Sequence, residues 1–484
     1  MALTALPPEI LDIIIKHSLP LSFENLATTC KRIYAQCTPF IKRHHELRSR
    51  FRDFTYISDA RDGVVAASDF ISLIAVDPSI ARYIRTANLV RDSEFFPHQL
   101  LRGNPPKSVP SIEDGGDIVE LFANSTYLRR ARLNWREYYS TFAEDVREMR
   151  YSQHGIVFLL TLLGYTENLT IPDLWKPNTA TNRLLLVLVK EARQSSFLSS
   201  SSGLRPLTRF RGSVRRSEAE NSGLSLARPF LTLPHLESFK FAGAFAIGEH
   251  PRSLAFGGSP YIADKLEAAS LHDCCIDDVG ITDFLKQTPR LKKLNYSHKP
   301  RHDFLPRDWD ICKFINAVAR EAGSHLIELA VTAYAFRGST LPGKASLRGF
   351  QKLEKFWFPL RLVTCNINAA GVTGNFATSL QHFFNGSLDP FVRDLIPTTV
   401  THLMLLSECG GMGPYDKALD ALFRHFRAIR RSQLPNLQKV HIACKQGADK
   451  AYKQQCNKIV AEGEREGVVV HLEQSGFATV SSNA

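Results

Sequence analysis

The stretch Leu291-Lys-Lys-Leu294-Asn-Tyr296 repeats along the chain and decides how the chain folds. It has a leucine first, an apolar residue three positions later, and a second apolar residue two positions after that. Because side chains alternate between the two faces of a strand, the last two apolar residues share one face and the residue between them lies on the other. Each copy therefore predicts a short strand with one buried face.

Further copies of this pattern begin at Ile84, Leu128, Leu236, Leu266, Leu326, Leu353, Val400 and Leu437. The most regular copies are about 25 to 35 residues apart, which is close to the length of a leucine-rich repeat. Helical stretches between them are predicted at Ile281–Gln287, Ile311–Ala322 and Tyr415–Ile429. A last helix over Asp449–Glu466 and a closing strand over Val468–Leu472 complete the series.

One such unit cannot bury its own apolar face, so neighbouring units must stack. The predicted fold class is therefore an α/β repeat: a small N-terminal helical domain over residues 1–52, then an irregular leucine-rich-repeat solenoid over residues 53–475, with short parallel strands and return helices. Residues 476–484 are expected to form a flexible tail. The alternative is an α/β domain without repeats whose strands merely share the leucine spacing.

The N-terminal domain opens with Leu6-Pro7-Pro8-Glu9-Ile10-Leu11. The prolines suit the first turn of a helix, and Glu9 suits the positive end of its dipole. The apolar residues between Ile10 and Ile15 cover an arc of about 200°, so this helix must be covered from two sides. A second helix is predicted from Ser22 to Cys37, ended by Thr38-Pro39, and a third from Phe40 to Phe51. A unit this small should lean on a partner.

Two stretches of this domain resemble the F-box in the form found in filamentous-fungal proteins. They are the Leu-Pro-x-Glu-Ile-Leu start at Leu6 (with Pro8 at the variable position) and Leu26-Ala-Thr-Thr-Cys30-Lys31-Arg-Ile-Tyr34. The resemblance implies docking onto a Skp-type adaptor, and through it onto the cullin of a ubiquitin ligase. It implies adaptor-binding roles for Leu6, Pro7, Glu9, Ile10, Ile14, Leu26, Cys30, Lys31 and Tyr34. The leucine-rich pattern is likewise similar to the degenerate arrays of F-box proteins.

Composition and motifs indicate a soluble protein of the cytoplasm or nucleus without catalytic chemistry of its own. Nine scattered cysteines favour a reducing compartment, and no apolar stretch is long enough for a membrane span. The sequence has no Gly-x-Ser-x-Gly elbow, no phosphate-binding Gly-x-x-x-x-Gly-Lys-Ser/Thr and no Cys-x-x-Cys pair. His272, Cys274 and Cys275 are interpreted as core residues, and the glycines of 410–414 as a turn. We expect no enzyme activity, cofactor or metal.

A net charge of +12 raises nucleic acid as a possible partner. One concentration of arginine lies in a serine- and arginine-rich segment at about residues 194–227, for which a mobile loop is expected. Its arginines are Arg205, Arg209, Arg211, Arg215 and Arg216. Since no interleaved aromatic residues accompany them, nucleic-acid binding is the weaker hypothesis.

The repeat pattern also predicts which residues face outward from the strands and bind a target. This candidate substrate-binding set is Arg132, Lys240, Lys293, Lys355, Trp357, Lys439 and His441. A basic face with a tryptophan suits an acidic or phosphorylated protein segment. The function this suggests is a substrate receptor of a ubiquitin ligase, with an adaptor-bound scaffold outside a ligase as the alternative.

Overall fold

The computed structural model describes residues 3, 6–56, 64, 66–92, 109–194, 203–214, 224–246, 263–299, 308–333, 340–369, 395–407, 415–444 and 447–473. The chain forms two compact units, Met1–Ser213 with Pro229–Leu236, and Val214–Arg228 with Glu237–Ala484. Among the described residues, no helix combines the length and apolarity that crossing a membrane requires. The proposed tail, 476–484, lies outside the described residues.

The first unit begins with three helices, α1 (Pro8–Ser18), α2 (Phe23–Ala27) and α3 (Lys31–Phe51). Four strands follow along the chain and pair in parallel in the order β1-β2-β3-β4: β1 (Asp53–Thr55), β2 (Thr86–Asn88), β3 (Asn168–Thr170) and β4 (Arg209–Ser213). The other helices up to this unit's last segment are α4 (Ala67–Val76), α5 (Ile80–Tyr83), α6 (Asp117–Ala123), α7 (Thr126–Arg130), α8 (Trp135–Arg147), α9 (Gln153–Leu162), α10 (Thr179–Gln194) and α11 (Arg228–Leu231).

The second unit is built on a parallel sheet with the order β5-β7-β8-β9-β10-β11-β12-β13, with β6 pairing beside β7. Its strands are β5 (Ser238–Ala242), β6 (Phe245–Ala246), β7 (Ala268–Ile276), β8 (Lys293–His298), β9 (Glu328–Ala333), β10 (Lys355–Pro359), β11 (His402–Leu406), β12 (Lys439–Ala443) and β13 (Val469–Glu473). Its helices are α12 (Asp278–Lys286), α13 (Ile311–Ala322), α14 (Leu360–Ala369), α15 (Tyr415–Phe423), α16 (Phe426–Ser432) and α17 (Lys450–Arg465).

Successive strands are joined by the same backbone contact in both units. The carbonyl of Lys292 accepts hydrogen bonds from two consecutive N–H groups of the next strand, those of Ile327 and Glu328, at 2.8 and 3.0 Å. The carbonyl of Arg52 makes the equivalent pair of bonds in the first unit. Because this contact recurs from strand to strand, each strand is the translated copy of the one before it.

The apolar positions of the pattern form the core, as in the β8 copy, where Leu291, Leu294 and Tyr296 are all buried. Eight of the nine copies found in the sequence coincide with a strand of a parallel sheet. Helix α13 has the predicted bounds, and α17 and β13 lie at the predicted closing helix and strand. The predicted repeating α/β architecture of parallel strands and helices is thus confirmed.

The prediction of a strand at Leu128 is wrong, and so is the placement of Arg132 on that strand. The Ser125 hydroxyl accepts a hydrogen bond from the Leu128 N–H at 3.3 Å and caps helix α7, so Leu128 lies on a helix. Arg132 has a φ of 52°, a left-handed conformation that lies in the turn after this helix and outside regular strand geometry. The strand of this region is β3, about forty residues later.

The loop predicted over residues 194–227 is wrong for its central part. Arg209–Ser213 is strand β4, in which Phe210 is buried while Arg209 and Arg211 are exposed. Leu207-Thr-Arg-Phe210-Arg-Gly212 follows the repeat pattern except that glycine fills the last apolar position. Residues 195–202 and 215–223 lie outside the described residues.

The predicted boundaries of the second and third helices are also wrong. Helix α2 ends at Ala27 because the Thr28 and Thr29 hydroxyls donate to the carbonyls of Glu24 and Leu26, at 3.0 and 2.7 Å. Helix α3 then runs through Pro39 without a break. Its buried residues continue at helical spacing on both sides of that proline and hold the helix together despite the missing N–H: Ile33, Cys37, His44 and Phe51.

A buried carboxyl group in the first unit predicts a pH-dependent stability. Asp92 is buried and accepts a hydrogen bond from the Ala67 N–H at 2.7 Å, at the start of α4. Burial raises the pKa of Asp92 to about 7. Between about pH 4 and pH 7 the folded protein holds a proton on Asp92 that the unfolded chain has lost. The protonated Asp92 therefore contributes its full stabilisation below about pH 4, and this stabilisation is lost as the pH rises through 7.

We expect Asp92→Asn to remove this dependence. Between pH 5 and 7 the wild type should lose about 1 kcal/mol more unfolding free energy per pH unit than the variant, because one proton is bound differently in the two states. Urea denaturation at pH 5, 6, 7 and 8 measures the slope. The exposed Asp53→Asn serves as the control, and equal slopes for Asp92→Asn and wild type would contradict the expectation.

Candidate functional site

Helix α1 carries an apolar face that the described chain leaves uncovered. Leu11 and Ile15 are buried, whereas Ile10 and Ile13 are 43% and 52% exposed and Ile14 is half-buried. At about 100° per residue, the two buried residues cover one side of the apolar arc and Ile13 and Ile10 cover the other. The described residues therefore cover this helix from one side only, whereas its apolar arc predicts cover on two sides.

The other predicted adaptor-binding residues lie on the same three-helix group. Helices α1, α2 and α3 share one small core made of Ile15, Phe23, Ala27, Ile33 and Cys37. At its rim, Leu26 and Cys30 are partly buried, while Tyr34 is 53% exposed. Of the remaining residues of the set, Leu6 is half-buried and Pro7, Glu9 and Lys31 are exposed.

Exposed apolar side chains are concentrated in this region. Eleven large apolar side chains are exposed in the described part of the chain, and five of them fall within the first 34 residues: Leu3, Ile10, Ile13, Leu21 and Tyr34. Single exposed apolar residues need no explanation, but a concentration of this kind is typical of a protein-binding surface. We call this set, with Ile14, the helical patch.

The second candidate surface is the outward face of the sheet in the second unit. Strand register aligns its residues into two rows that cross the strands, about 4.8 Å from one strand to the next. The first row is Lys293, Glu328, Lys355, His402, Lys439 and Val469. The second row is Lys240, Ser270, Asn295, Ala330, Trp357, Met404, His441 and His471. Six of the seven predicted substrate-binding residues thus share one face, and Arg132 does not.

The first row is less basic than the sequence suggested, because an acid lies between two of its lysines. Glu328 Oε2 is 3.7 Å from Lys293 Nζ and 3.9 Å from Lys355 Nζ. Further along, His402 lies between Lys355 and Lys439. Burial, and then the charges of Lys439 and Lys355, lower the pKa of His402. Lys355 and Lys439 therefore flank the His402 imidazole, one on each neighbouring strand.

The second row places an apolar strip beside that positive charge. Trp357 is half-buried and lies opposite Met404 on the next strand. Beyond them, His441 Nδ1 is 3.2 Å from Glu473 Oε1, and the His441 and His471 rings are 4.9 Å apart. His402, His471 and Glu473 were not among the predicted site residues. His402 follows Val400 by two positions, as Lys355 follows Leu353, so the repeat pattern could have indicated it.

His272, Cys274 and Cys275 were interpreted from the sequence as core residues; this holds for Cys274 alone, because His272 and Cys275 are half-buried. Cys274 is fully buried, and burial raises the pKa of its thiol to about 12, so the thiol is protonated at neutral pH. The Ser270 hydroxyl and the His272 imidazole are within hydrogen-bonding distance, at 2.7 Å. The glycines at 410–411 and 413 lie outside the described residues.

The sequence matches no protein-family model, and a search of curated proteins finds no significant relative.

Proposed function

We propose that this protein is a non-catalytic substrate receptor of a cullin–RING ubiquitin ligase. The observation that carries the proposal is the helical patch, in which exposed apolar side chains coincide with residues that resemble an F-box. An uncovered apolar surface on small helices suits a Skp-type adaptor, which would bury it. The irregular repeats would then be leucine-rich repeats that hold a target protein.

In this role the chain supplies proximity and no reacting group. A target held on the repeats is kept near a ubiquitin-conjugating enzyme, and that effect alone accelerates transfer. The sheet face around Lys355, His402 and Lys439, with Trp357 beside it, suits an acidic or phosphorylated segment. The proposal places the protein in the cytoplasm or nucleus, without a cofactor.

Affinity purification of the full chain, followed by mass spectrometry at two salt concentrations, tests the proposal. Recovery of a Skp-type adaptor together with a cullin at both concentrations is the expected result. Recovery of the adaptor without a cullin would favour a scaffold outside a ligase. If neither the adaptor nor the cullin is recovered and nucleic acid is bound at low salt only, the proposal is overturned. Nucleic-acid binding through the arginines of residues 205–216 would then be favoured.

A charge-reversal variant tests the proposed target-binding face independently of the helical patch. We expect Lys355→Glu with Lys439→Glu to reduce recovery of the target at least about tenfold, because both charges flank one anion-binding position. Recovery of the adaptor should not change. The control is Lys286→Glu with Lys458→Glu, two exposed lysines on helices of the same unit. Equal target recovery with both double variants would contradict the assignment of this face.

A further inference from the structure

A second kind of site lies where α2 meets α3. The side chains of Glu24, His44 and His45 bring one potential ligand atom each to within 4.8 Å of one another, and no other such group of three occurs among the described residues. His44 is 1% exposed, and its Nδ1 lies 3.1 Å from the Tyr83 hydroxyl oxygen on α5. Glu24 and His45 are exposed, so the site opens to solvent.

The buried nitrogen of His44 has no hydrogen-bond partner in the described chain. This atom, Nε2, faces Glu24 Oε1 at 3.6 Å, beyond hydrogen-bonding distance. When Nδ1–H donates to the Tyr83 hydroxyl, the lone pair of Nε2 points toward a carboxylate. A buried lone pair opposite a carboxylate is unfavourable unless a cation lies between them.

We propose that Glu24, His44 and His45 bind a divalent transition-metal ion, with Zn²⁺ as the ion of best fit. Two imidazole nitrogens and one carboxylate oxygen are a donor set that zinc prefers. Ligands about 2.0–2.2 Å from zinc at a tetrahedral angle lie roughly 3.4 Å apart, close to the observed separation of His44 Nε2 and Glu24 Oε1. The Tyr83 hydroxyl fixes the His44 ring from behind, as an outer partner of a metal-binding histidine does.

Arg48 competes with the metal for the same carboxylate. Its Nη1 contacts Glu24 Oε1, the oxygen that faces His44. A metal ion at this position must therefore displace the guanidinium, which is partly exposed and has solvent to move into. Metal binding and the Arg48–Glu24 ion pair exclude each other. In the metal-free form, Arg48 pairs with the Glu24 carboxylate in place of the metal ion. This proposal does not rest on the proposed ligase role.

Zn²⁺ titration of the full chain against a chromophoric chelator at pH 7.5 tests the site, with Co²⁺ absorption as a second readout. We expect Glu24→Gln and His45→Ala, both at exposed positions, to weaken the tightest binding at least about tenfold. Arg48→Gln should tighten it, because the competitor is gone. His17→Ala, an exposed histidine on α1, is the matched control and should bind as the wild type does.

Two results would overturn the proposal. One is a Glu24→Gln or His45→Ala protein that binds Zn²⁺ as tightly as the wild type, since the tightest site would then lie elsewhere. The other is an Arg48→Gln protein with unchanged or weaker affinity, since the ion would then not share the carboxylate with Arg48. Tetrahedral Co²⁺ absorption that disappears in His45→Ala supports the site independently of the Zn²⁺ affinities.

Discussion

Replacing Ile10 and Ile13 together with glutamate is expected to lower the affinity for a Skp-type adaptor at least about 100-fold. Burying an isoleucine side chain contributes about 1.5–3 kcal/mol, so losing two amounts to about 3–6 kcal/mol. Each glutamate would in addition bring an unpaired charge into the interface. The free protein should fold normally, because both residues are already exposed and surface substitutions change stability by about 0.5 kcal/mol or less.

The matched control for this variant is Leu186→Glu. Leu186 is 52% exposed, the same fraction as Ile13, and lies on helix α10 of the same compact unit. Titration of purified adaptor by calorimetry gives both affinities, and circular dichroism gives the melting temperature. Adaptor binding that survives in the double variant, or that falls equally in Leu186→Glu, would remove the role assigned to the helical patch.

Phe356→Ala should destabilise the second unit by about 3–5 kcal/mol. Phe356 is fully buried in β10, between strands β9 and β11, and its ring centroid is 4.6 Å from that of Phe358. Removing the ring leaves a cavity that the stacked strands cannot close, because each strand is held by its neighbours on both sides. Urea denaturation, followed by the fluorescence of the tryptophans, measures the loss.

The adjacent residue provides the control. Trp357→Ala removes a larger side chain, but this residue is half-buried on the outward face, so we expect less than about half the loss. If the tryptophan variant proved the less stable of the two, the assignment of the inward and outward faces would be reversed. That reversal would also remove the candidate target-binding face.

Three strands that the sequence missed, β1, β3 and β4, each depart from the repeat pattern at one position. Strand β1 follows Phe51-Arg-Asp-Phe54-Thr-Tyr56, where phenylalanine replaces the first leucine and also closes helix α3. Before β3 the buried Thr166 fills that position, and in β4 the last apolar residue is Gly212. A search that requires an aliphatic first residue and an apolar last residue could not find these copies. The backbone hydrogen bonds between strands identify them without reference to side chains.

Pattern and periodicity predicted the candidate surfaces only in part. The outward positions of the second unit followed from alternation along each strand, so Lys355 and Trp357 were found. Glu328 and His402 occupy the same position of the repeat pattern as Lys355. The contacts of the Glu328 carboxylate with two lysine side chains depend on side-chain geometry and could not be read from spacing. The break between α2 and α3 was missed because threonine hydroxyls, which helix propensity ignores, end α2.

Helix α3 joins the helical patch to the first strand without a hinge. It spans 21 residues, and only Arg52 separates its end from β1, with the carbonyl of Arg52 bonded to the start of β2. An adaptor bound to the helical patch would therefore sit on a rigid helix about 30 Å long, at a fixed angle to the first four strands. Because no flexible segment separates this helix from the strands, the fold of this unit would set the orientation of the bound adaptor.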